Sequence, residues 1–284
     1  MNLLRKMIQI RCFENKVSEL KIKGPVHSCI GQEGVSAGIC SALGSEDYII
    51  GNHRSHGHQI AKGADINKLM IKILKGYGSS MHVADKSVGG ILTTAIVGSG
   101  LPVACGVAFS CKYLKNDKIV CVFFGDGAFS EGSFHESLNL ASQWRLPVLF
   151  VLENNQVAVT TVPKQANYHR FAEAYGISNT QVNGQTVKEV YGTAKDAVNM
   201  IHKTGLPFFL EVVTCRFKEH QEGLYYQKMR ETGYRNINDL RYQEVFLDPI
   251  ELYVRESKIP YKEWGAIFDE EIINVENAVK FAES

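Results

Sequence analysis

Residues 119–155 read IVCVFFGDGAFSEGSFHESLNLASQWRLPVLFVLENN, and the order of apolar and polar runs within them decides the fold. Ile119 to Phe124 is a short, unbroken apolar run, the pattern of a strand buried on both faces. It stops at Gly125-Asp126-Gly127. From about Glu131 to Trp144, Phe134, Leu138 and Ala141 fall on one helical face, which predicts an amphipathic helix. Pro147 follows, and Val148 to Leu152 is a second buried strand running into Glu153-Asn154-Asn155. Strand, helix and strand in that order make a βαβ unit.

Outward from this unit the alternation continues. A helix rich in Ala, Gly and Cys is predicted from Leu101 to Leu114, a helix-like stretch near 186–203, and a further buried strand from Phe208 to Val213. The expected class is therefore α/β, an open parallel sheet flanked by helices. Residues 1–20 place Leu3, Leu4, Met7, Ile8 and Cys12 at helical spacing, Gly24-Pro25 breaks that helix, and GQEGVSAGICSAL (31–43) predicts a second one with small residues for close packing. The stretch DYIIGNHRSHGHQIAKG (47–63) begins as a strand and is expected to become a polar, histidine-rich loop. Residues 76–100 are glycine-rich without a steady period, which predicts an ordered irregular loop. Beyond Asp248-Pro249 the chain is charged and helical. The expected organisation is one α/β domain over 1–247 and a helical tail over 248–284, packed on the domain or on a partner chain.

Composition narrows the function. Of 284 residues, 45% are hydrophobic and 21% charged, so the chain has the makings of a large core. Lysine plus arginine (31) nearly balances aspartate plus glutamate (30), leaving no basic field for nucleic acid or an anionic membrane. No apolar run approaches the roughly 20 residues that cross a bilayer. The amino terminus carries charges through its apolar residues and lacks the pattern of a signal peptide. Seven cysteines, an odd number with no C-x-x-C pair, predict a reducing cytoplasm rather than a disulfide framework.

In a parallel α/β sheet, ligands bind beyond the carboxyl ends of the strands, where both polar words of the βαβ unit fall. Either alone fits an ordinary strand-to-helix turn or a polar loop. Together, on adjacent strands, they bring Asp126 and Asn155 close. One carboxylate, one amide oxygen and a backbone carbonyl leave room for diphosphate oxygens around Mg²⁺, a hard ion with octahedral preference. Gly125 and Gly127 let the backbone approach a ligand, and a helix starting near Glu131 would offer free N–H groups to a phosphate.

GDG, 26 intervening residues and NN also form the motif of thiamin diphosphate-binding proteins, and the surrounding words narrow the likeness. GQEG (31–34), HRSHGH (53–58), GSSMH (78–82), Cys215-Arg216 after a strand, and DPIEL (248–252) make the whole chain resemble the α subunits of pyruvate, branched-chain 2-oxoacid and acetoin dehydrogenase E1 components. That resemblance implies the thiamin diphosphate-binding fold. It implies Mg²⁺ held by Asp126, Asn155 and the main-chain carbonyl of Val157, with Gly127 and Ala128 facing the diphosphate. It places Arg54 on the terminal phosphate, with His53 at a neighbouring position that is often tyrosine. Ala95-Ile96-Val97 falls where the family holds the aminopyrimidine ring, Val97 touching it and Ala95 replacing a more usual glycine or serine. His220, four residues after Arg216, falls where the family keeps a catalytic histidine that orients or protonates intermediates in acyl transfer. His27 and His56 match histidines near the site mouth, where a structural role is equally open. QEGLYYQKMRETGY (221–234) departs from the serine-rich segment common in the family, and Lys218-Glu219 sits at that entrance.

The activity implied is decarboxylation of a 2-oxoacid, or cleavage of acetoin, with the acyl group passed to a lipoyl acceptor. The glutamate that activates the cofactor comes, in this family, from a second, pyrimidine-binding domain. This chain has room for one domain, so a separate β subunit is expected, in an α₂β₂ assembly that could join a lipoyl-bearing acyltransferase. Half of a split transketolase or carboligase, passing the thiamin-bound intermediate to an aldehyde or sugar, is the alternative. A cofactor-binding scaffold without turnover is a third reading, against which Arg54 and His220 argue.

Overall fold

A computed structural model of the chain describes residues 2–20, 22, 24–76, 82–158, 167–221 and 237–284. The two strands of the opening stretch, β3 (Val120–Gly125) and β4 (Val148–Asn154), pair in parallel with Val120 opposite Val148 and Gly125 opposite Glu153. Every residue of β4 is buried, which is why the sequence shows no polar alternation there. Around this pair lie β1 (Tyr48–Gly51), β2 (Gly90–Thr93), β5 (Ser178–Asn183) and β6 (Phe208–Val213), in the order β2-β1-β3-β4-β6-β5. Every neighbouring pair is parallel.

The period-two geometry of the strands divides the core into two layers. Cys121, Phe123, Leu149, Val151, Leu210 and Val212 face one layer, together with α1 (Asn2–Glu19), α2 (Glu33–Ala42), α4 (Ile66–Leu74) and α7 (Val187–Thr204). Val120, Val122, Phe124, Phe150, Leu152 and Phe209 face the other, under α5 (Gly100–Tyr113) and α6 (Gly132–Trp144). The expected α/β class, a parallel sheet flanked by helices, is the fold observed.

Two local expectations are corrected. The histidine-rich stretch is a loop only as far as Ser55, because α3 (His56–Lys62) follows with His56, His58 and Gln59 all buried. Its polar face finds partners inside the protein: His56 Nδ1 lies 3.0 Å from Glu14 Oε2 and His58 Nε2 lies 3.0 Å from Glu153 Oε1, while His58 Nδ1 and Gln59 Nε2 have none among the described residues. The glycine-rich stretch 76–100 is not wholly irregular, since it contributes edge strand β2. A side chain at Gly90 would run into the Gln59 amide and the Asp85 backbone, so close packing, not a loop, asks for glycine there. The helix expected from about Glu131 begins at Gly132. A 3₁₀ turn, Asp126–Ser130, precedes it, and the Gly127 amide is engaged by Asp126 Oδ1 at 3.0 Å.

At the carboxyl terminus α8 (Ile237–Phe246), α9 (Pro249–Ser257) and α10 (Tyr261–Glu283) follow. Asp248 caps α9 by accepting from the Ile250 amide at 2.8 Å, with Pro249 in the first turn. Ile250, Val254, Ile267, Val275 and Val279 share one apolar layer with Leu4, Met7 and Ile8 of α1. Buried Glu271 of α10 accepts from Arg5 at 2.8 Å and Gln9 at 3.0 Å. Among the described residues no helix is long and apolar enough to cross a membrane, and all seven cysteines are free.

Candidate functional site

The loops leaving β1, β2, β3 and β4 line one open cleft of about 760 Å³ at the carboxyl edge of the sheet. It brings together every residue expected at the site: His53, Arg54, Val97, Gly125, Asp126, Gly127, Ala128, Asn155, Val157 and His220. The register explains the first contacts, because pairing Gly125 with Glu153 sets the next residues of both strands side by side at the sheet edge. Gln156 then takes a left-handed conformation, φ +63°, unusual for a side chain of its size. Asn154 Oδ1 accepts from the Gln156 amide at 3.1 Å and Asn155 Oδ1 from the Val157 amide at 3.2 Å, so the turn is held by the two asparagines. Asn155 Nδ2 donates to Gln32 at 3.2 Å, which leaves its carbonyl oxygen a lone pair for a cation.

Asp126 is buried, and its Oδ2 has no hydrogen-bond partner among the described residues. Burial pushes its carboxyl up, with the Gly127 amide and the charges of Arg216 and Arg54 acting against that. A desolvated carboxylate oxygen without a donor beside an asparagine oxygen suits a hard cation. A side chain added at Gly125 would meet no protein atom within 4 Å, so the glycine leaves open space at the cleft wall.

The other half of the cleft is cationic. Arg54 is buried and donates to the Ser28 carbonyl at 2.8 Å, the His220 carbonyl at 2.8 Å and His220 Nδ1 at 3.2 Å. Guanidinium only donates, so His220 Nδ1 accepts and the neutral ring carries its proton on Nε2. His27, His53 and His220 pack ring to ring with centroids 4.9–5.3 Å apart. Burial first, then Arg54 and Arg216, lowers His27 to about 4 and His220 to about 3. Burial and Arg54 likewise hold His53 well below its ordinary value, and His53 Nε2 lacks a partner among the described residues. A buried guanidinium ringed by neutral histidines is a site for an anion.

The expectations at the rim divide. Ile96 and Val97, 74% and 52% exposed, stand at the cleft with Ala95. His27 joins the histidine cluster, whereas His56 is tied to Glu14 beneath α1, a structural place. The segment 222–234, including most of QEGLYYQKMRETGY, lies outside the described residues. Sequence reasoning missed Gln32, Asn52 and Glu153 in the cleft wall, and did not count Arg216 among the charges acting on the site. Gln32 sits in the GQEG word and Arg216 four residues before His220, so both had a weak signal.

A parallel α/β sheet whose carboxyl edge sets a buried carboxylate beside a buried arginine defines a class, α/β proteins with a ligand cleft beyond the ends of their strands. The chain belongs to the dehydrogenase E1 component family, whose profile matches residues 1–283. It is 40% identical to the α subunit of acetoin:2,6-dichlorophenolindophenol oxidoreductase of Bacillus subtilis (strain 168), over 77% of this chain and 70% of that one. It is 33% identical to the pyruvate dehydrogenase E1 component α subunit of Zymomonas mobilis (98% of this chain, 82% of that one) and 31% identical to that of Rhizobium meliloti (97% and 81%). Membership implies the use of thiamin diphosphate, and the relatives' names as α subunits imply a β partner.

Proposed function

We propose that the chain is the α subunit of a two-chain, thiamin diphosphate-dependent enzyme that decarboxylates a 2-oxoacid, or cleaves acetoin, and delivers the acyl group to a lipoyl acceptor. The observation that carries this reading is the pairing, in one cleft, of the unpartnered Asp126 carboxylate oxygen with the buried Arg54 guanidinium. Asp126, Asn155 and the Val157 carbonyl would hold Mg²⁺ against the diphosphate. Arg54 and His53 would take phosphate oxygens, with Gly125, Gly127 and Ala128 giving the diphosphate room, and Val97 would touch the aminopyrimidine ring. Thiamin diphosphate, when bound, supplies the carbanion chemistry.

The chain's own residues then orient and insulate. His220, with its proton on Nε2, would donate to a substrate oxygen, and Arg54 keeps that tautomer by occupying Nδ1. The histidine cluster, of which His27 is buried, would shield the reacting end from water. The activating glutamate would come from the β chain in an α₂β₂ assembly that docks a lipoyl-bearing acyltransferase. The division into a domain over 1–247 and a tail over 248–284 belongs to this reading, supported by the packing of α9 and α10 on α1. A cytoplasmic place is supported by seven free cysteines.

The test is co-expression with a candidate β chain, followed by assays of pyruvate, branched-chain 2-oxoacids and acetoin with thiamin diphosphate and Mg²⁺. Turnover only with both chains, and acylation of an added lipoyl domain, is the expected result. Aldehyde-dependent C–C bond formation in place of lipoyl acylation would establish the split transketolase or carboligase; an intact complex inert toward every donor would establish a scaffold.

A further inference from the structure

Glu153 stands beside the metal-binding word without being one of its ligands. It is the last residue but one of β4, and both of its oxygens are spoken for. Oε2 accepts from Asn52 Nδ2 at 2.6 Å, and Oε1 lies 3.0 Å from His58 Nε2. The His58 ring is itself fixed, stacked on Phe123 with centroids 3.8 Å apart and planes 13° from parallel. The other end of the Asn52 amide reaches the next link: Asn52 Oδ1 accepts from the Arg54 backbone amide at 2.7 Å, and the Asn52 carbonyl accepts from Ser55 Oγ. One end of Asn52 therefore donates to a carboxylate while the other accepts from an N–H, and neither partner can exchange roles. The amide has one workable orientation, and it fixes the turn on which Arg54 sits.

We propose that Glu153 is a positioning residue for Arg54, acting through Asn52, and so sets the affinity of the cleft for a diphosphate it does not touch. The inference rests on the diphosphate reading of Arg54 given above. Its physical sense is that Arg54 spends three of its five N–H donors on Ser28 and His220, leaving two for a ligand. Two remaining donors select an anion only if the backbone beneath them is held, because hydrogen-bond strength falls steeply with angle. The Glu153 charge also lies close enough to act on Arg54, against the burial that opposes its cationic form.

The chain from Glu153 to Arg54 can be read by calorimetric titration of the assembled α/β complex with inorganic pyrophosphate and Mg²⁺. Glu153→Ala is expected to weaken binding about tenfold, the loss of one charge-assisted hydrogen bond. Glu153→Gln keeps an acceptor for Asn52 while its NH₂ faces His58, whose tautomer can change, and is expected to bind within about threefold of wild type. Glu153→Ala in an Arg54→Ala background should cost nothing further. Wild-type binding by Glu153→Ala, full multiplication of the two losses, or failure of Glu153→Gln to restore binding would each overturn the proposal. Should Glu153→Ala not assemble, Asn52→Ala breaks the same chain at its middle and carries the same expectation. If Arg54→Ala alone binds pyrophosphate as wild type does, it is the diphosphate reading that has failed, and the positioning role falls with it.

Discussion

Two regions of the molecule bury an arginine, and they treat it in opposite ways. On the helical flank Arg11 lies between Glu33 and Asp248, hydrogen-bonded to both. Although burial works against it, the two carboxylates push the Arg11 guanidinium above its ordinary value. At the sheet edge Arg54 is more deeply buried and has no carboxylate in ion-pair contact among the described residues. Burial, with Arg216 adding to it, pushes Arg54 well below its ordinary value. A cation that belongs to the scaffold arrives with its counter-ions; one buried among carbonyls and neutral histidines is incomplete until an anion comes.

The largest effect expected from this contrast is on the flank. Arg11→Met leaves buried Glu33 and the α9 cap Asp248 without their shared cation, and removing one partner of a buried pair costs about 3–5 kcal/mol. Thermal denaturation should show a large drop in Tm that pyrophosphate does not selectively repair. An unchanged Tm would mean that the flank triad contributes no net stability, and the contrast would lose one side.

Next come the two charges of the cleft, where affinity rather than stability should respond. Asp126→Ala removes the carboxylate oxygen that has no hydrogen-bond partner among the described residues, and Mg²⁺-dependent cofactor binding is expected to fall at least about a hundredfold, since even residues outside the coordination sphere cost about 10–100-fold. Retained Mg²⁺ dependence in calorimetry would remove Asp126 from the metal site. Arg54→Met should weaken pyrophosphate binding about thirtyfold, roughly 2 kcal/mol for a charge-assisted contact, with Tm unchanged or raised. A Tm falling as far as that of Arg11→Met would show Arg54 to be structural.

The same contrast explains how much could be read from the sequence. β3, α6 and β4 were legible because burial on both faces writes a continuous apolar run, and GDG and NN were legible because they end those runs. β5, Ser178–Asn183, was not, because an edge strand reading SNTQVN is mostly solvent-exposed or half-buried and carries no apolar pattern. α3 reads as a loop because its buried face is polar, and the partners that allow this, Glu14 and Glu153, lie far away in sequence. At the site, residue types identified Asp126 and Asn155 as candidates, and the family resemblance added Arg54 and His220. That Arg54 has no carboxylate partner among the described residues, and that Asn52 ties it to Glu153, are facts of packing across three strands that no local pattern encodes.

The smallest expected effect tests the cationic side of the cleft by pH. His27 and His220 ionise in the folded protein at about 4 and about 3, against about 6.5 in an unfolded chain. The unfolded state therefore binds more protons between those values, so this contribution to stability is complete above about 6.5 and is lost as pH falls toward 4 and then 3. Tm of the free chain should decline from pH 7 to 5, and His27→Gln should flatten that decline. A diphosphate reverses the field that Arg54 and Arg216 impose on the rings and makes protonation easier. Pyrophosphate should accordingly bind more tightly at pH 6 than at pH 8, with proton uptake visible as a dependence of the calorimetric heat on buffer ionisation enthalpy. The Arg11 triad contains no histidine, so Arg11→Met should lower Tm without altering this pH slope; a changed slope would mean that the two buried arginines are coupled after all.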